Sequence, residues 1–321
     1  MQKLSKLFFL CAFLGMGFGS YFLNNSISNP KDQNLAIAKS QISSSKKKPN
    51  SNINPNTVTE ESEYQRLMQI LGDRQLSKLP FNEVIQTIST QFIGGNYRES
   101  LLDQEETEKL FVSLTEFDCV LFVETVLAFS KNFLAANPSY GKFVQNVEEV
   151  RYVDGKLDGY CSRLHYFSEW IRDNQRKNIV QDITANLGGI PLKKTLNFMS
   201  SNWQKYPRLK NSETNYQCIL AMEKKIAEEM RSQPLQYIPS NQIRRIYPSL
   251  KAGDIIAVVT DIKGLDTTHT GLVYPTAKDT SFIHASPSGK VKVTKDLQGY
   301  VERVDHAIGI MVARPVSSSN I

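Results

Sequence analysis

A change of hydrophobic period along the chain predicts an α+β domain. From Glu60 to about Arg231 apolar residues recur at helical spacing, and from Gly253 onward they alternate with period two. Helices first and strands afterwards give an antiparallel sheet with helices packed on it. The third observation is chemical. A lone Cys119 opens a run that is apolar on nearly every face, and two histidines, His269 and His284, fall within the later alternating segments.

Order is expected to begin near Glu60. Tyr64, Leu67, Met68 and Leu71 lie at helical spacing, and Ile85, Ile88 and Phe92 mark a second helix after Pro80 that Gly94-Gly95 stops. Glu105 to Leu114 reads as a third helix. Cys119 to Phe129 carries Val120, Leu121, Phe122, Val123, Val126, Leu127 and Phe129, the pattern of a helix buried on most sides. Asp118 is its N-cap, which puts Cys119 in the first turn. Glu124 interrupts this run; a lone buried carboxylate is costly, so it requires a cation or an edge position.

Residues 137–250 exceed a minimal core of this kind and are expected to wall the cleft. Within them Arg163 to Asn174 and Ser212 to Arg231 read as helices, and Gly188-Gly189 lies in loop-rich chain. Five strands follow: Asp254–Thr260, His269–Tyr274, Ser281–Ser286, Lys290–Thr294 and Ala307–Ala313.

The chain has 321 residues and a net charge of +6. Residues 1–59 hold seven Lys and one Asp, so this surplus belongs entirely to them. The rest is neutral overall, which excludes a folded basic footprint for nucleic acid. Lys3 and Lys6 followed by an apolar run read as an export signal over residues 1–23, with Gly17, Gly19 and Ser20 suited to cleavage. The alternative is a retained membrane anchor, for which Leu7 to Leu23 is at the short limit. Either implies a globular part delivered to the cell envelope. Residues 24–59, rich in Asn, Ser, Lys and Pro, read as a disordered spacer, and 60–321 as a single domain. Loss of Cys11 would leave Cys119, Cys161 and Cys218, an odd number, so at least one thiol stays free or pairs between chains. Cys161 and Cys218 are either a disulfide or two buried thiols; sequence does not decide.

A thiolate attacks far better than a thiol. A helix N-terminus stabilises an anion by about 0.3–1 kcal/mol at exposed sites and ~2 in sheltered ones, and an imidazolium lowers a thiol pKa further. His269, in Thr268-His269-Thr270-Gly271-Leu272, is the candidate base. His284, fifteen residues on, is expected on the next strand, accepting from the ring of His269 and fixing its tautomer. Each residue taken singly is better explained by packing; the combination carries the argument. A zinc site from the same three residues is the rival chemistry, and no close ligand pair supports it. Arg163, His165 and Tyr166 either bind a sugar or peptide carboxylate or form a hydrogen-bonded helix start. His306 has no evident partner and reads as structural.

The segments Phe92-Ile93-Gly94-Gly95-Asn96-Tyr97, Phe117-Asp118-Cys119, Ser162-Arg163-Leu164-His165-Tyr166-Phe167, Gly264-Leu265-Asp266-Thr267-Thr268-His269 and His284-Ala285-Ser286 together resemble the NlpC-type papain-like cell-wall cysteine hydrolases. More narrowly, the chain from about Phe81 to Pro315 is similar to their N-acetylmuramoyl-L-alanine amidase-like branch. The resemblance implies a papain-like fold, with the catalytic Cys at the N-terminus of a buried helix on a five-stranded antiparallel sheet. It implies Cys119 as nucleophile, His269 as base and His284 as orienter, with the Cys119 amide as oxyanion donor. Tyr97, Asp118, Arg163, His165, Tyr166 and Asp266 are the substrate-binding set. Asn96 stands where the family has Pro, and Val-Leu-Phe follows Cys119 in place of Ser-Gly. The implied reaction is metal- and cofactor-free hydrolysis of the amide joining N-acetylmuramic acid to L-alanine in peptidoglycan fragments. A stem-peptide endopeptidase and a non-catalytic wall-binding module are the alternatives.

Overall fold

The structure, a computed structural model, describes residues 59–72 and 76–317. The expected export segment, with Cys11, and the spacer up to residue 58 lie outside the described residues. The helices are α1 (Glu60–Gly72), α2 (Phe81–Thr90), α3 (Cys119–Phe133), α4 (Tyr140–Arg151), α5 (Phe167–Arg176), the short α6 (Phe198–Ser201) and α7 (Pro207–Lys210), α8 (Glu213–Ser232) and α9 (Leu297–Val301). The strands are β1 (Asn96–Tyr97), β2 (Glu116–Phe117), β3 (Val180–Asp182), β4 (Ile190–Pro191), β5 (Gln236–Pro239), β6 (Ile255–Thr260), β7 (Thr267–Pro275), β8 (Thr280–Ser286), β9 (Lys290–Thr294) and β10 (Ala307–Pro315). Among the described residues no helix is long and apolar enough to cross a membrane.

The five long strands match the alternating segments read from sequence and run in the order β9-β8-β7-β6-β10, all antiparallel. The expected sheet of five is nevertheless too small. β1 and β2 extend one edge, β5 and β4 the other, and β3 pairs with the end of β10. It is not wholly antiparallel either, because β1 and β2 pair in parallel with Tyr97 beside Phe117. Strands of two to four residues carry no readable period, so only their partners define them.

Alternation along β6 sorts the core onto two faces. Ile255, Ala257 and Val259 join Leu272, Ile283 and Ala285 in one apolar cluster with α1 to α5. Ile256 and Val258 join Val273, Phe282, Leu297 and Val301 in a second, covered by α9 and the 3₁₀ stretch Ser240–Ser249.

Helix α3 is buried from Cys119 through Ser130. Glu124 has the partner its burial demands: Arg151 Nε donates to Oε2 at 2.7 Å and Trp170 Nε1 to Oε1 at 3.1 Å. At the far end Asn132 Nδ2 donates to the Tyr64 hydroxyl at 2.6 Å. Helix α4 went unforeseen although Ser139 caps it and Phe143, Val147 and Val150 repeat at core spacing.

The helix expected over Glu105–Leu114 does not form. Long-range partners take the groups a helix would pair internally. Arg151 donates to the Phe111 carbonyl, Glu60 accepts from Leu114 N at 2.6 Å, and Glu108 accepts from Arg208 at 2.6 Å and Tyr152 at 3.0 Å. The helix expected from Arg163 begins instead at Phe167, because Leu164 N bonds the Arg151 carbonyl at 3.0 Å. Cys161 and Cys218 form a disulfide that ties the chain before α5 to α8.

Both Glu124 and Arg151 are 2 % exposed, so losing one charge strands the other in apolar surroundings. Glu124→Ala is expected to cost about 3–5 kcal/mol in urea unfolding. Glu124→Gln combined with Arg151→Met is expected to cost less than the sum of its single changes.

Candidate active site

Cys119 is the first residue of α3. Asp118 caps the helix as expected, Oδ1 accepting from Val120 N at 2.9 Å and Leu121 N at 2.8 Å. The cap fixes the turn that carries the sulfur. Cys119 itself is buried within the helix-side apolar cluster, beside Phe117 and Phe122 as fellow members. It is the one cysteine outside a disulfide among the described residues.

Strand β2 runs straight into Asp118, and the parallel pairing of Tyr97 with Phe117 brings Tyr97 to the same turn. Tyr97 is half-buried, and its hydroxyl donates to Glu99 at 3.4 Å.

The histidines sit on neighbouring strands, as the sequence implied. His269 Nε2 and His284 Nδ1 are 2.6 Å apart, with the two rings nearly perpendicular at 87°. A register shift in the β6–β7 pairing, where Val258 faces His269 and Val259 faces Thr267, lies at His269 and re-aims the chain there. On its other side His284 Nε2 lies 3.0 Å from Thr294 Oγ1 on β9. Phe282 stacks on the His284 ring at 4.9 Å, and Tyr300 of α9 packs against it at 4.8 Å. Gly271 makes this close seating possible. A Cβ there would stand 2.8 Å from His284 Cβ and 2.6 Å from the Ile283 carbonyl oxygen.

His284 is fully buried, and this burial, helped by His269 and Lys292, holds its pKa well below the usual histidine value. It is therefore a neutral ring at pH 7.

The remaining expected site residues serve the framework. Arg163 is buried against Asp103 at 2.6 Å and the Leu102 carbonyl at 3.1 Å. His165 Nε2 donates to the Tyr160 carbonyl at 2.9 Å, and burial beside Arg163 keeps its pKa far below normal. Tyr166 donates to Glu223 at 2.7 Å and accepts from Met199 N at 3.1 Å. These three take the hydrogen-bonded helix-start alternative; their polar groups hold the 160–223 region together.

Asp266 is also buried. One oxygen accepts from Ser168 N in the first turn of α5 and the other from Thr267 N, both at 2.7 Å. Burial raises its pKa, and these amides oppose the rise. It fastens the start of β7 to α5, two elements the sequence placed far apart. His306 does have a partner, Asp261, at 2.8 Å on the surface.

Sequence reasoning missed Thr294, Tyr300 and Lys194. Lys194 Nζ donates to the carbonyls of Thr260, Ile262 and Leu265, gathering the loop that leads to His269. Nothing in the Lys193-Lys194 pair signals this. Thr294, ten residues after His284 on an alternating segment, had the right spacing for the next strand. Among the described residues no group of three or more His, Cys, Asp or Glu is arranged to hold a metal ion.

His165 and His284 stay neutral in the folded protein, while the unfolded chain binds their protons below about pH 6.5. Stability present at neutral pH is thus lost as pH falls through that value, at about 1.4 kcal/mol per pH unit per histidine. Thermal midpoints measured between pH 7.5 and pH 5 are expected to drop, and His165→Gln with His284→Gln to flatten the drop.

The chain matches the family model described as N-acetylmuramoyl-L-alanine amidase-like over residues 87–310. Among solved structures it is similar to an N-acetylmuramoyl-L-alanine amidase from Bacteroides uniformis. The two are 30 % identical with a TM-score of 0.66, over 74 % of this chain and 99 % of that one. A protein from Bacteroides fragilis carrying a provisional xylanase label matches at 32 % identity and TM-score 0.64, over 71 % of this chain and 99 % of that one. A Legionella pneumophila protein of the DUF1460 family shares the fold at 18 % identity and TM-score 0.58, over 80 % and 94 % of the two chains. A comparison with curated proteins finds no match. With the family model covering most of residues 60–321, the chain belongs to the N-acetylmuramoyl-L-alanine amidase-like family.

Proposed function

We propose that this protein is a papain-like cysteine hydrolase of the cell envelope that cleaves the amide between N-acetylmuramic acid and L-alanine in peptidoglycan fragments. The observation that carries the reading is the 2.6 Å contact between His269 and His284, on strands packed beneath the helix that Cys119 opens. With Nε2 of His269 engaged by His284, the proposed mechanism uses the Nδ1 of His269 toward the thiol.

In this mechanism His269 takes the Cys119 proton, and the positive end of α3 stabilises the thiolate. The sulfur attacks the lactyl carbonyl carbon, forming the C–S bond as the carbonyl π pair moves to oxygen. Collapse expels the L-alanine nitrogen, which leaves as an amine with the proton from His269. Water, deprotonated by the same ring, then adds to the thioester and releases the muramoyl carboxylate, and the sulfur recovers its charge. His284 keeps the imidazolium oriented throughout. Tyr97, beside the nucleophile turn, lines the pocket for the L-alanine end.

Because Cys119 is buried, reaction requires local opening of its cover. The N-terminal apolar run, read as signal or anchor, fits an envelope location and membrane association at that end.

With a defined disaccharide-tetrapeptide, the wild-type protein is expected to release free disaccharide and intact tetrapeptide, read by mass spectrometry. Cys119→Ala is expected to lower turnover by at least about 10³-fold with the fold retained. A dipeptide-bearing sugar would instead identify a stem-peptide endopeptidase, and turnover surviving in Cys119→Ala would remove the nucleophile assignment. Absence of any product, with no preferential alkylation of Cys119, would mark a wall-binding module.

A further inference from the structure

Beyond the two histidines the hydrogen-bonded line continues to one more side chain. In the β8–β9 register Phe282 pairs with Thr294 and His284 with Lys292, so Thr294 shares the sheet face of His284. Its Oγ1 stands 3.0 Å from His284 Nε2.

We infer that Thr294 is a positioning residue for this site: its hydroxyl oxygen accepts the Nε2–H of His284 and so fixes the tautomer whose Nδ1 lone pair holds His269. The inference rests on the proposed function, which supplies the proton count, and on the two contacts at His284, which supply the geometry.

The polarity follows from proton counting. When His269 carries the thiol proton, both of its ring nitrogens are donors. His284 Nδ1, 2.6 Å away, must then accept, so the single proton of the neutral ring resides on Nε2. The reverse order, with the threonine donating to Nε2, places a proton on Nδ1 facing another N–H. Only a group that accepts at Nε2 permits the working order, and a hydroxyl does so while its own hydrogen turns away. Phe282 and Tyr300 pack against the ring of His284, so it cannot flip to exchange its nitrogens without displacing them. The charged and titratable groups facing His284 are His269 on β7, Lys292 on β9 and Tyr300 on α9; Lys292 Nζ is held by Ser288 Oγ at 2.8 Å.

The test uses the full chain labelled with ¹⁵N-histidine. Long-range proton–nitrogen spectra of wild type and Thr294→Ser are expected to show His284 protonated at Nε2 and bare at Nδ1. Thr294→Val, similar in shape but without the acceptor, leaves a buried N–H unpaired and is expected to shift His284 toward the Nδ1–H form. Its kcat is expected to fall about ten- to a hundredfold with KM little changed. The alkaline limb of its pH profile is expected to move to lower pH, because the imidazolium of His269 loses its acceptor. Thr294→Ser is expected to restore both. A wild-type spectrum with His284 protonated at Nδ1, or a Thr294→Val spectrum identical to wild type, overturns the inference. If Thr294→Val does not fold, the wild-type and Thr294→Ser spectra still decide. Survival of activity in Cys119→Ala would defeat the hydrolase reading and leave the tautomer question to the spectra.

Discussion

The contact on which the rest depends is the buried pairing of Glu124 with Arg151 and Trp170. Hydrophobic burial is roughly proportional to area and has no direction. A helix apolar on almost every side gains nearly the same energy in several rotations and offsets. Helix α3 therefore needs polar contacts to set its register, and they include one at its start, one in its middle and one at its end. Asp118 closes its first turn, Glu124 holds its middle, and Asn132 meets Tyr64 at its end. The middle one costs most to break, because both charges are sealed from water. Cys119 inherits its place from this arrangement.

The same logic governs the sheet side. His269 follows a loop whose carbonyls converge on the Lys194 ammonium, and Asp266 ties the start of β7 to the first turn of α5. Gly264 closes the loop against Asn197, leaving no room for a Cβ. His269 and Cys119 thus sit on separately anchored elements.

Much of this was legible in sequence because it rests on period and chemistry together. The α3 run, its Asp118 cap and the five long strands announce themselves through composition, and the two histidines through their position on consecutive strands. What escaped has a common cause. The coil from Glu105 to Leu114 has helical-looking spacing, but its groups answer to Arg151, Glu60, Arg208 and Tyr152, residues forty or more positions away. The two-residue strands exist only through their partners. Helix α4 did carry a signal in Ser139, Phe143, Val147 and Val150, obscured by its charged outer face. Asp266 looked like a ligand-facing group by its place in a motif, yet it caps a helix ninety-eight residues earlier.

A neutral orienter has an electrostatic consequence that a carboxylate would not. A buried carboxylate behind His269 would stabilise its imidazolium strongly, but it would itself need desolvating and pairing. A neutral ring adds no buried charge. It holds the imidazolium by a lone pair, which is weaker, so under the proposed mechanism the proton on His269 stays available to the departing amine. Under the proposed mechanism the thiolate then draws its stabilisation from the N-terminal end of α3, the turn that Asp118 closes through the Val120 and Leu121 amides. Keeping His284 neutral requires that it remain dry, which Phe282, Tyr300 and the close approach at Gly271 accomplish. Under the proposed mechanism the aromatic cover beside the histidines is in this sense part of their acid–base chemistry, because admitting water there would let His284 take a proton and end its role as acceptor.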